Sequence, residues 1–143
     1  MIGFFVKAGD PEVGNHFRLY QKEFRDIVHR NVFVNHYGEG IDLILIQFHL
    51  EGRFLQIPDE QYKVNYFRKK EKSASVNVYV PMTFQFVTER EKKEFISKTT
   101  TEAVLLIKKR MEKKENIYIN FDQLLQDLEK CTEEYLSSVK NDN

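Results

Sequence analysis

The sequence predicts an α+β domain: an antiparallel sheet of about four strands, one N-terminal helix, and two C-terminal amphipathic helices packed on one face of the sheet. Three observations carry that expectation. Strand alternation lies in the middle of the chain, where Val76, Val78 and Val80 alternate with Asn77 and Tyr79. Helical spacing dominates from residue 89 onward. Two capping signals, Thr88-Glu89-Arg90-Glu91 and Asn120-Phe121-Asp122-Gln123, open those helices. In the first, the Thr88 hydroxyl can accept from the N–H of Glu91 while Glu91 reaches back to the N–H of Thr88.

Taken in order, residues 2–8 have the composition of a strand, ended by turn chemistry at Gly9-Asp10-Pro11-Glu12. Phe17, Tyr20, Phe24, Ile27 and Val28 recur at helical spacing opposite Arg18, Lys22, Arg25 and Asp26, which predicts a helix over 16–29. Residues 31–37 fit either a short extension or a strand. After the break at Gly38-Glu39-Gly40, residues 41–50 form the strongest strand; Leu43, Ile44, Leu45 and Ile46 are apolar on both faces, as in a central strand covered on each side. Gly52 ends it. Residues 62–66 alternate as a half-buried strand, and a polar turn over 68–73 joins them to residues 76–80 as an antiparallel hairpin. Phe84 and Phe86 add a short strand or cap the core. The helix over 89–114 aligns Phe95, Ile96, Thr99, Ala103, Leu106, Ile107 and Met111, and the helix over 121–139 aligns Leu124, Leu125, Leu128, Cys131, Tyr135 and Val139. Ile117-Tyr118-Ile119 is an apolar link between them, and residues 141–143 read as a frayed tail.

The 143 residues suit a single domain, 1–143. Twelve Phe and seven Tyr with no Trp point to a core built from rings. Acidic and basic residues number 22 each, and this neutrality argues against a dedicated nucleic-acid binder. One cysteine excludes an intrachain disulfide and suits a reducing compartment. The first residues lack a signal peptide's basic region and no apolar run reaches membrane-span length, so a cytoplasmic protein with no membrane partner is expected.

Chemistry-bearing patterns are sparse. His16, His29, His36 and His49 show no metal-ligand spacing, and with one cysteine a zinc site is not expected. His49 shares the strand face of Gln47, where a polar contact is expected. Cys131 lies on an apolar helical stripe and reads as a buried small hydrophobe rather than a nucleophile. The basic runs over 68–72 and 108–114 fall in a turn and at a helix end, where solvation and the helix dipole account for them; neither is interleaved with aromatics for base stacking. Gly38-x-Gly40 is followed by a strand, the wrong order for a phosphate-binding loop. What remains is a set of loop carboxylates, Asp10, Glu12, Glu39, Asp42, Asp59 and Glu60, beside Tyr37 and Tyr62. Asp10, Glu12, Tyr37, Glu39, Asp42 and Tyr62 are the candidate partner-binding residues, because exposed tyrosines are enriched at protein interfaces. No catalytic residue, metal or cofactor is expected.

The order strand, helix, hairpin, Val76-Asn77-Val78-Tyr79-Val80-Pro81, acid-rich helix start and closing Asn120-Phe121-Asp122 helix resembles small immunity proteins of bacterial polymorphic toxin systems. Val34-Asn35-His36-Tyr37-Gly38-Glu39-Gly40 and Ser75-Val76-Asn77-Val78-Tyr79-Val80-Pro81-Met82 carry the likeness to a Bacillus-type family. The resemblance implies a cytoplasmic, non-catalytic protein that binds a cognate toxin domain and occludes its active site. It transfers a role and no fixed site. A small enzyme or ligand-binding protein, with a site assembled from scattered residues, is the alternative.

Overall fold

Strand β1 (Ile2–Lys7) leads directly into helix α1 (Pro11–Val28). The computed structural model describes residues 2–8, 10–33, 37–50, 62–68, 72–112 and 117–139, and for 62–68 and 82 the backbone only. Residues 52, 69–71 and 140–143, on which a strand end, part of the basic turn and the tail were expected, lie outside them. Asp10 starts α1 five residues earlier than the apolar spacing suggests. Its Oδ1 accepts the N–H of Glu12 at 2.9 Å, and Pro11 takes the first helical position, where its missing N–H costs nothing. The chain then makes a π-type turn (His29–Phe33), so the part of 31–37 described there is a helical extension.

Strands β2 (Gly38–Glu39), β3 (Leu43–His49), β4 (Tyr62–Arg68) and β5 (Ser73–Tyr79) follow, then a 3-10 turn (Met82–Phe86) and helix α2 (Glu89–Met111). A two-residue strand β6 (Tyr118–Ile119) precedes helix α3 (Phe121–Ser137). The Thr88 hydroxyl caps α2, accepting the Glu91 N–H at 3.1 Å and donating to the Glu91 carboxylate at 3.2 Å. Asn120 Oδ1 caps α3 by accepting the Gln123 N–H at 3.1 Å.

The expected antiparallel four-stranded sheet is corrected by the pairing. The sheet has the order β1-β3-β5-β4, with β1 parallel to β3 and β3 parallel to β5. Only the β4–β5 hairpin is antiparallel. Parallel neighbours need a long crossover, and α1 supplies the one between β1 and β3. The doubly apolar run Leu43–Ile46 is itself a mark of parallel pairing. Two further corrections follow. Tyr118–Ile119 is not a mere link: it pairs antiparallel with Gly38–Glu39 in a second, small sheet. Gly38 has φ +138°, and a Cβ there would collide with the Tyr118 carbonyl oxygen, so glycine is required. The C-terminal helices also do not share one role: α2 packs on β3, β4 and β5, whereas α3 packs against α1 and α2.

The core lies between one sheet face and the helices. Ile44, Ile46, Phe48, Val76 and Val78 from the strands meet Phe17, Phe24, Ile96 and Ile107 from the helices, all nearly or fully buried. A seam of rings runs through it. Tyr135 of α3 touches Phe24 of α1 (centroids 4.9 Å), which meets Phe4 of β1 (6.3 Å). Phe4 stacks with Phe48 of β3 (6.4 Å), Phe48 meets Phe17 at a tilt (5.1 Å) as Phe17 does Phe84 (5.0 Å), and Phe84 meets Phe95 of α2 edge-on (5.7 Å). Each such pair contributes about 0.5–1.5 kcal/mol beyond area burial.

A buried ion pair joins the helices at one point. Lys93, 2% exposed, donates to Glu23 at 3.1 Å and to the Ser138 hydroxyl at 2.7 Å, with Glu89 at 3.9 Å and the Tyr135 ring 4.9 Å from its ammonium. Phe48 touches both Phe4 and Phe17 and is fully buried, so Phe48→Ala removes the middle of the seam. We expect it to cost about 3–5 kcal/mol of stability, read as a lower urea midpoint; a loss under about 1 kcal/mol would mean the seam is not what joins sheet to helices.

Candidate functional site

Alternation along β3 buries Ile44, Ile46 and Phe48 under the helices and turns Leu43, Leu45, Gln47 and His49 to the other face, against which no described helix packs. In-register pairing sets Gln47 between Phe5 and Asn77, and His49 between Lys7 and Tyr79. Two side-chain bonds cross diagonally from β3 to β5. Gln47 Nε2 donates to Ser75 Oγ at 3.0 Å, and His49 Nε2 lies 2.7 Å from Asn77 Oδ1. An amide oxygen only accepts, so Nε2 carries the proton and Nδ1 of the neutral ring is the acceptor. The His49 ring also stacks on Tyr79 at 5.2 Å. Ser75 and Asn77 are buried, while Phe5 is 53% exposed and Leu43 and Leu45 are half-buried. The result is a rigid surface, apolar at Phe5, Leu43 and Leu45, with fixed hydrogen-bonding groups across its centre.

The row Lys7, His49, Tyr79 sits at the carboxyl ends of the three parallel strands, the end at which open α/β sheets usually carry ligands. His49 is oriented there for polar recognition or proton transfer. Ser75, two residues before Asn77, offers it no free nucleophile, because its hydroxyl is engaged by Gln47.

The sequence-predicted residues divide between the two ends of this sheet. Asp10 caps α1, and Glu12 is exposed in its first turn beyond the carboxyl end of β1. Tyr62 begins β4 opposite Val78, near the same end; its side chain lies outside the described residues. Glu39 and Asp42 are exposed before β3 begins, and the Asp42 N–H donates to the Lys72 carbonyl at 2.7 Å. A strand of this length separates the two groups by about 20 Å. Tyr37 serves the fold: its hydroxyl donates to Asp127 at 2.6 Å and its carbonyl accepts the Asn120 N–H at 2.7 Å, clasping α3. His36, Asp59 and Glu60 lie outside the described residues.

Other candidates resolve structurally. Lys108 of the second basic run bonds Asp122 at 3.0 Å, beside an open recess of about 270 Å³ lined by Met111, Ile119 and Phe121. Among the described residues no three His, Cys, Asp or Glu side chains cluster as metal ligands, and no helix is long and apolar enough to cross a membrane. Comparison with known proteins adds nothing to the geometry: no family model matches the chain, and neither the curated proteins nor the solved structures yield a significant match.

Cys131 is buried against the apolar stripe of α3. Burial, with Glu134 and Asp127 adding to it, pushes its thiol up to about 11, so almost no reactive thiolate exists at neutral pH. We expect labelling by a thiol reagent in native buffer to be slow and to accelerate on unfolding, and Cys131→Ala to cost about 1 kcal/mol. Stoichiometric labelling of the folded protein within seconds would contradict this.

Proposed function

We propose that this chain is an immunity-type binding protein, which neutralises a cognate bacterial toxin domain in the cytoplasm by covering the toxin's active site and performs no chemistry itself. The observation that carries the reading is the sheet face left free by the helices, where Phe5, Leu43 and Leu45 flank the Gln47–Ser75 and His49–Asn77 bonds. Side chains already fixed by neighbouring hydrogen bonds lose little freedom on binding, which favours affinity. Ser75 and Asn77 of β5 are buried, so the open part of the face is β1 and β3; two strands at ~4.8 Å spacing and seven residues at ~3.3 Å make a patch of roughly 220 Å². That is about a quarter of one partner's share of a standard interface, roughly 800 Å². Glu12 in the first turn of α1 on one side, and Glu39 and Asp42 ahead of β3 on the other, extend it into an acidic rim suited to a basic partner such as a nuclease groove. The resemblance to toxin-system immunity proteins agrees with this role.

The His49–Asn77 pair favours a second reading, a small enzyme or ligand-binding protein with His49 Nδ1 as its base. Neither the engaged Ser75 hydroxyl nor the buried Cys131 thiol offers that base a partner for covalent chemistry.

The decisive assay expresses the toxin domain encoded beside this chain, with and without it, and scores survival. We expect rescue by the wild-type chain. Phe5→Asp should weaken toxin binding by about 2 kcal/mol, roughly 30-fold, with the fold intact. Joint charge reversal of Glu12, Glu39 and Asp42 should slow association and reduce its salt dependence; Asp10 is left in place because it caps α1. Equal death with and without the chain, or turnover of a small substrate by the purified protein, would overturn the reading.

A further inference from the structure

The two outer strands of the sheet are not alike. At β4 the register shifts between Val64 and Tyr66, an irregularity that turns an edge away from further pairing. At β1 the register with β3 runs unbroken from Ile2–Ile44 to Lys7–His49, and no described strand pairs with its other side. Successive carbonyls of a strand point to opposite sides. The Lys7 carbonyl accepts the Leu50 N–H on the β3 side, so the backbone polar groups of Ile2, Phe4 and Val6 face outward. A regular row of this kind is a template for one more strand.

Helix α1 overhangs that row. The Arg18 guanidinium donates to the outward Val6 carbonyl at 3.1 Å, which fixes the side of α1 that lies over the edge. Residues four and seven positions further along a helix return to the same side. Here they are Lys22 and Arg25, both exposed. Lys22 pairs with no carboxylate among the described residues. Arg25 has a 3.7 Å contact with Asp26, both half-exposed, and such a surface pair contributes little. Glu23, by contrast, is turned toward Lys93 of α2. Because α1 carries the chain back from the end of β1 toward the start of β3, it runs opposite to β1. The basic stripe therefore follows the edge from Val6 toward Ile2, over about 10 Å.

We infer that the outer edge of β1 is a docking site for an extended acidic segment of another protein, which adds to the sheet as a further strand and sets its carboxylates against Arg18, Lys22 and Arg25. Main-chain bonds to Ile2, Phe4 and Val6 supply affinity, and the stripe supplies selection. Alternate residues of a strand lie ~6.7 Å apart on one face, so two carboxylates two positions apart match the stripe. Arg18 then exchanges the Val6 carbonyl for a carboxylate, a stronger charge-assisted bond, and frees that carbonyl for an incoming N–H. A second copy of the chain is a poor occupant. Antiparallel pairing of β1 with itself about a two-fold axis would set both α1 helices on one face and oppose their like charges. The site uses backbone groups and α1 rather than the side chains of the free sheet face, and it does not depend on the proposed binding role.

The test titrates the isotope-labelled full chain, at low salt, with a short capped peptide alternating glutamate and valine, and separately with its lysine-for-glutamate counterpart. We expect the glutamate peptide to shift the Ile2, Phe4 and Val6 amide signals saturably and to slow their exchange with solvent. The lysine peptide should bind at least about tenfold more weakly. N-methylation of the glutamate peptide at alternate residues, on the side that pairs, should abolish the response. Lys22→Glu combined with Arg25→Glu should weaken binding at least about tenfold with the fold intact, since both side chains are exposed. The three amides unmoved by the glutamate peptide, equal binding of the two peptides, full binding of the N-methylated one, or an undiminished response in the double variant would overturn the proposal. So would shifts of these amides that follow protein concentration without peptide, because a second copy would then be the occupant.

Discussion

The seam of rings between sheet and helices is the interaction on which the other elements depend. From Tyr135 through Phe24, Phe4, Phe48, Phe17 and Phe84 to Phe95 it touches all three long helices and two of the parallel strands. Rings at these separations interlock by offset and edge contacts, which fix orientation as well as distance. Helix α3, which rests on α1 and α2, reaches the strands through this seam at Phe24. The Tyr135 hydroxyl, donating to the Tyr20 carbonyl at 2.7 Å, ties the polar end of the seam to α1.

Parallel pairing has the second large consequence. With β1, β3 and β5 parallel, the crossover through α1 lies on the helix side, and α2 joins it there. The opposite face receives no described helix. Its alternate positions carry a different chemistry: Gln47, His49, Ser75 and Asn77 satisfy one another across two strands. Such cross-strand bonds stabilise a sheet by modest amounts, and they also leave a surface whose polar groups are fixed in place. The proposed binding role rests on that combination of rigidity and partial exposure.

The elements themselves were largely legible in the residues. The alternation around Val76–Val80, the stripes of the C-terminal helices and both caps correspond to β5, α2 and α3. Strand direction was not, because the pattern of a single strand says which face is apolar and little about which way its neighbour runs. The β4–β5 hairpin was readable because a short polar turn joins its strands; the parallel neighbours of β3 come from distant segments. For the same reason His49 could be placed on the face of Gln47, while its bond to Asn77, 28 positions away, could not be foreseen. Asp10 and Tyr37 show the reverse case. Residues singled out as loop groups turn out to cap a helix and clasp another, since polar side chains near helix ends are drawn to unpaired backbone groups and to neighbouring carboxylates.

The central claim is that the free sheet face is the working surface and the helical side is the support. Side-chain NMR of the chain, recorded alone and with the toxin domain that the proposed role assigns to it, tests this directly. The account predicts that the signals of Phe5, Leu43, Leu45 and His49 shift or broaden on complex formation, while the exposed Leu19 of α1 and Leu105 of α2 stay unchanged. Perturbation confined to Leu19 and Leu105, with the sheet-face signals unmoved, would contradict it.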